Sequence, residues 1–179
     1  MSSKDYYASL WDTAEELNRN DCFNDLAYRN MTFDRDDRPE HILSKAARAY
    51  AENFQPALEQ HGIMFTGNVG TGKSYAAGCI ANALIDRLES VLFVGMSDVV
   101  NRMQGSFGSD RDHYTKTLMR PDLLILDDLG AGRSTSFVKE RVFDVVDKRL
   151  LTGKPMIVTT NIPLSVMKQA VDLDERRIF

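Results

Sequence analysis

Eight consecutive residues, Gly67-Asn68-Val69-Gly70-Thr71-Gly72-Lys73-Ser74, carry the spacing G-x-x-x-x-G-K-[ST]. The pattern suits phosphate: backbone N–H groups must all turn inward around the phosphate oxygens, and glycines leave the room for that. Lys73 brings a point charge to the β- and γ-phosphates and Ser74 a hydroxyl to Mg²⁺. The helix expected to follow points its positive N-terminal end at the same place. Tyr75 is taken with the loop as a nucleotide-contacting residue. The implied ligand is ATP or ADP with Mg²⁺.

A second group follows in Leu123-Leu124-Ile125-Leu126-Asp127-Asp128, an apolar strand ending in two carboxylates, the form of a Walker B segment. Side chains alternate along a strand, so the two acids start on opposite sides and can do different work. Asp127 suits Mg²⁺, held through its water shell, and Asp128 suits the attacking water. Aspartate at the second position, where many such ATPases have glutamate, has the shorter reach. A third group, Met156-Ile157-Val158-Thr159-Thr160-Asn161, puts a neutral amide at the carboxyl edge of the sheet, where ligands of parallel sheets bind. Asn161 there can hold both the γ-phosphate and the nucleophilic water.

The elements that must position these residues are legible around them. Apolar runs at Ile63 to Phe65, Val91 to Val94, Leu123 to Leu126 and Met156 to Val158 do not alternate. Between them lie helix-like stretches at Ser74 to Arg87, Asp98 to Met103 and Phe137 to Leu151, and another, Ile42 to Phe54, comes first. Short unalternating strands separated by helices predict an α/β fold with a parallel sheet covered on both faces. In the last helix Val138, Val142, Val145 and Val146 form the buried stripe. Arg149 continues it, where an arginine is expected to snorkel at the edge of the packed face, the alternative being a role across a subunit boundary.

The 179 residues, 43% of them hydrophobic, fit one such domain with a short helical extension ahead of it over residues 1–25 and the ATPase unit over 26–179. The acidic and basic tract Asp34 to Glu40 reads as a solvated loop. No apolar run reaches the ~18 residues that cross a bilayer and no secretory signal opens the chain, so a cytoplasmic protein without membrane contact is expected. Net charge of -4 argues against coating DNA through bulk charge. Cys22 and Cys79 read as reduced, packed thiols. His41, His61 and His113 stand too far apart to suggest a zinc site.

Taken together, the P-loop, Leu124-Ile125-Leu126-Asp127-Asp128-Leu129-Gly130 and Lys154 to Asn161 resemble the AAA+ ATPases of the DnaC/DnaI helicase-loader and IstB transposition-helper group. Asn30-Met31-Thr32-Phe33 resembles the segment that opens that group's ATPase domain near the adenine pocket. The resemblance covers roughly residues 22 to 179. It implies a P-loop AAA+ core with strand order 1-4-3-2 and Asn161 at the sensor 1 position. It also implies self-association through the nucleotide site, single-stranded DNA, and a replicative helicase or a transposase as partner.

Two departures are set against it. The group has an arginine finger, a further strand and a sensor 2 arginine beyond the position of Phe179, so C-terminal lid elements are expected to be missing, with Arg176 and Arg177 on the helix leading to the finger. Loaders also carry an N-terminal helicase-binding domain for which ~25 residues are too few, so an excised fragment or missing ends are expected.

The resemblance further places an extra helical element, facing the channel of the assembly, between the second strand and the acid pair. Here that is Ser97 to Arg120, with Arg102, Arg111, Lys116 and Arg120 as candidate DNA contacts and Phe107 and Tyr114 able to stack on bases. Asp98, Asp110 and Asp112 dilute that charge, and an ordinary solvated loop and helix is the competing reading. Two further alternatives stand: a small-molecule P-loop kinase, for which no arginine-rich lid is seen, and a nucleotide-binding scaffold without hydrolysis. Loader and transposition helper are not separable in the residues. The genomic neighbourhood, helicase or transposase, would separate them.

Overall fold

In the computed structural model, residues 22–23, 26–56, 62–105, 109–130 and 136–169 are described. The expected helix ahead of residue 22, His61, Phe107, Arg176 and Arg177 lie outside them.

Four strands, β1 (Ile63–Thr66), β2 (Val91–Gly95), β3 (Leu123–Leu129) and β4 (Met156–Thr160), form one parallel sheet in the order β1-β4-β3-β2. The expected strand order therefore holds. Their period of two sorts each strand between two cores. Phe93, Leu123, Ile125 and Ile157 pack under α1 (Ile42–Asn53) and α2 (Lys73–Ile85). Val94, Leu124, Leu126 and Val158 pack under α3 (Met96–Gly105), α4 (Ser109–Met119) and α5 (Ser136–Leu151). Because both faces are covered, β3 and β4 are apolar without alternation. A short sixth helix, α6 (Leu164–Gln169), follows β4.

Helix α2 lies close on the sheet because its inner face is small: Ala76, Ala77 and Ala81 are buried. Gly78 admits the Met31 side chain, which an added Cβ would meet at 2.7 Å. Cys22 and Phe23 belong to the same core as β2: Phe23 pairs in parallel with Phe93, and both residues are buried. Cys79 is buried and unbridged, and burial pushes its thiol up to about 12. At the C-terminal end of α1, Arg87 donates to the carbonyls of Ala51 (2.6 Å) and of the following residue Phe54 (2.7 Å).

Arg149 corrects both sequence readings. It neither snorkels nor faces a boundary: its exposure is 0%, and its guanidinium donates to the carbonyls of Leu118, Met119, Pro121, Asp122 and Pro155 at 2.9–3.4 Å. Two of those carbonyls end α4, where a cation is favoured by the helix dipole. Lys154 adds bonds to Met119 and Arg120 at 3.3 and 2.9 Å. Burial pulls the Arg149 pKa down to about 10, against the opposing fields of Asp122 and Tyr50. Val142, Val145 and Val146 are buried as the stripe requires, while the Val138 side chain lies outside the described residues.

Candidate nucleotide site

The three sequence groups meet at the carboxyl edge of the sheet. β1 ends at Thr66, registered with Thr160 of β4, and the loop begins there: the Gly67 N–H donates to the Thr160 carbonyl at 3.3 Å and the Thr66 hydroxyl to that of Ile162 at 2.9 Å. Gly72 starts α2 at φ +93°, a conformation open to glycine, and a Cβ there would meet the Arg38 guanidinium at 2.8 Å. Asn68, Val69 and Gly70 are exposed at the tip, Val69 by 83%. Thr71 ties the loop to itself through the Asn68 carbonyl at 2.9 Å. Lys73 is buried, and its ammonium donates to the carbonyls of Gly67 and Asn68, each at 2.8 Å. The charge thus sits against the start of the loop, and Ser74 follows it half-buried on the first turn of α2.

Asp127 and Asp128 do part company. Asp127 is buried and, by alternation with Leu123 and Ile125, lies on the α2 side of β3. Asp128 is exposed with φ +60°, beside the shift in register between Leu126 and Leu129. An aspartate tolerates this left-handed conformation better than a bulky residue. The irregularity is what turns Asp128 out toward the edge.

Both acids are held by a residue that sequence reasoning did not single out. The Thr159 hydroxyl donates to Asp127 Oδ1 at 2.6 Å and accepts from the Asp128 N–H at 2.8 Å. Tyr28 donates to Asp127 Oδ2 at 3.3 Å. Thr159 was within reach of the sequence, since in the 1-4-3-2 order its alternation with Ile157 aims it at the face that carries Ile125 and Asp127. Tyr28, 99 positions away from Asp127, gave no local signal. Asn161 follows β4, exposed, between the P-loop strand and the acid pair. Next to it Thr160 donates to the Leu129 carbonyl at 2.7 Å and accepts from the Ile162 N–H at 3.1 Å, fixing the turn.

Beside the loop, Arg35, Asp36, Arg38, His41, Thr71, Gly72 and Tyr75 line a cleft of about 320 Å³. Tyr75 reaches back to the Thr32 carbonyl at 3.0 Å, and burial raises its phenol pKa. The Asn30 to Phe33 segment is thereby fastened next to the cleft.

The oxygen donor set of Ser74 and Asp127 suits Mg²⁺, a hard cation that keeps much of its water, and the glycine-rich loop with Lys73 suits polyphosphate. When bound, Mg²⁺ would neutralise charge on the β- and γ-phosphates. The residues present fit the group.

The proposed DNA-contacting segment is two helices. Arg102 lies over the Tyr114 ring at 4.8 Å, and Arg111 donates to the Met103 carbonyl at 3.1 Å, so both fasten α4 to α3. Tyr114 is 5% exposed and buried in the core, which corrects its reading as a base-stacking residue. Lys116 and Arg120 are exposed.

Comparison with known proteins agrees with this geometry. The family model described as IstB-like ATP binding protein matches residues 12–176. The replicative helicase loader DnaC of Escherichia coli strain K12 is 31% identical over 130 residues, covering 71% of this chain and 52% of that protein. The chain spans about half the length of the curated relatives it matches. A crystal structure of DnaI superposes with a TM-score of 0.71 at 20% identity, covering 88% of this chain and 90% of that one. A crystal structure of the DnaC helicase loader gives 0.69 at 24%, covering 86% and 93%. These likenesses show the P-loop AAA+ fold.

Proposed function

This chain belongs to the family of IstB-like ATP-binding proteins, and from that premise we propose that it is the ATP-hydrolysing AAA+ unit of a cytoplasmic DNA-replication protein that loads a replicative helicase onto single-stranded DNA. The observation that carries the ATPase reading is the convergence of Lys73, Asp127, Asp128 and Asn161 on one sheet edge, with Asp127 buried and Asp128 exposed. On this reading the ATPase unit begins with Cys22 and Phe23, which share the core of β2, ahead of the expected start at residue 26. ATP with Mg²⁺ is held by Gly67 to Tyr75. Lys73 leaves its two carbonyls for the phosphates, Ser74 and Asp127 take the metal, Asp128 orients the attacking water, and Asn161 holds water and γ-phosphate. The loader reading is supported by the similarity to DnaC.

Hydrolysis by the chain alone is slow on this reading, because an arginine from an adjacent subunit contributes ~10³ to 10⁵ in rate in related phosphoryl transfers. Self-association accordingly runs through the nucleotide site. The test is calorimetric titration with ATP and Mg²⁺: Lys73→Ala should abolish measurable binding, and Asp128→Asn should bind but turn over less than wild type. Equal affinity of wild type and Lys73→Ala sinks the site. A chain turning over many times per second as a monomer sinks the shared-site reading.

A second reading, an IstB-type ATPase assisting a transposase in target DNA selection, is favoured by the description of the matching family model. Pull-down with the full-length protein separates the two: a replicative helicase supports the loader and a transposase the helper.

A further inference from the structure

The turn Leu26–Asn30 is joined to the nucleotide site at two separate points. Its Tyr28 ring packs on Phe93 of β2 with centroids 4.2 Å apart, and its hydroxyl reaches Asp127 Oδ2 at 3.3 Å. Asn82, buried on α2, donates its amide to the carbonyls of Tyr28 and Met31 at 2.9 Å each. The same segment thus grips both the helix that leaves the P-loop and the buried acid of β3.

A carboxylate has about four acceptor positions. Thr159 takes one on Oδ1 and Tyr28 one on Oδ2, which fixes the rotation of the group and leaves a position on each oxygen for metal-bound water. We propose that Tyr28 is a positioning residue for the metal side of the ATP site, and that seating of residues 26–33 and occupancy by the divalent cation are thermodynamically linked through it. The inference rests on the nucleotide-site reading above. Linkage is reciprocal: whatever loosens the segment weakens the metal, and the metal tightens the segment. A partner that pulls on this segment therefore reaches the ATP site without touching nucleotide.

Tyr28→Phe keeps the ring on Phe93 and removes only the hydroxyl. With Mn²⁺ as the probe, read by electron paramagnetic resonance in the ADP complex, its affinity should fall about three- to tenfold, the net worth of one ordinary hydrogen bond. ADP affinity in EDTA should stay at the wild-type value, and the melting temperature of the free protein should fall by no more than a few degrees, as the loss of one bond to Asp127 allows. Amide exchange across residues 26–33 should slow when Mg²⁺ is added to ADP-bound wild type and should not respond in Tyr28→Phe. Unchanged Mn²⁺ affinity in the variant, or equal exchange protection in both proteins, overturns the proposal. Failure of the wild type to bind ADP even in EDTA overturns instead the nucleotide-site reading beneath it.

Discussion

Thr159 and Asp127 are joined across β4 and β3 by a buried hydrogen bond of 2.6 Å. The same hydroxyl receives the Asp128 N–H, so one side chain sets the positions of two acids with different surroundings. Thr159→Val keeps the shape and removes both bonds, leaving buried polar groups short of a partner at a cost of about 1–3 kcal/mol. For a chain of this size the melting temperature should drop by roughly 2–10 °C, and Mg²⁺-dependent ATP affinity should fall with it. Thr159→Ser should restore most of both. Thermal denaturation and titration check this. A Val variant with wild-type metal dependence would mean that the strand alone positions Asp127.

Arg149 makes the strongest stability prediction. Five carbonyls converge on it where α4, the loop before β3 and the start of β4 meet. Arg149→Met should cost about 4 kcal/mol, because several buried carbonyls would lose their guanidinium donor, only Met119 and Pro155 keeping another, from Lys154 and the Leu124 N–H. Arg149→Lys should also be destabilised, since one ammonium cannot span a planar fork's set of acceptors. Urea denaturation followed by circular dichroism gives the numbers. A Met variant within about 0.5 kcal/mol of wild type, the usual range for surface changes, would contradict the assigned role.

Single-stranded DNA binding, proposed for the α3–α4 segment, is tested by changing its cations in two overlapping pairs. Four neutralised phosphates would give a log-log salt slope of about -3 per subunit, at ~0.7 per phosphate. With Arg102 and Arg111 fastening α4 to α3, the slope expected from Lys116 and Arg120 alone is nearer to about -1.4. In an assembled form, Lys116→Ala with Arg120→Ala should weaken DNA binding and leave ATP affinity unchanged. Arg111→Ala with Lys116→Ala should weaken it too, with added loss of helix stability. DNA affinity unaltered in both variants would move the DNA contact elsewhere.

The sequence by itself determined the phosphate loop, the acid pair and the parallel sheet. These are local signals: glycine spacing around Lys73, unalternating apolar runs, and carboxylates at the end of one of them. The strand order followed once the motifs were read as a family. Only the tertiary structure decided what holds the site in place. Thr159 meets Asp127 because β4 lies next to β3, Tyr28 meets it because the turn Leu26–Asn30 folds over β2, and Arg149 is buried because the stretch from Leu118 to Asp122 and the nearby Pro155 leave their carbonyls around one point. Such contacts join residues from 6 to 99 positions apart, and periodicity within one element carries no record of them. Tyr114 shows the same limit in reverse: an aromatic residue in a polar, charged stretch resembles a base-stacking platform until α4 turns it into the core beneath Arg102.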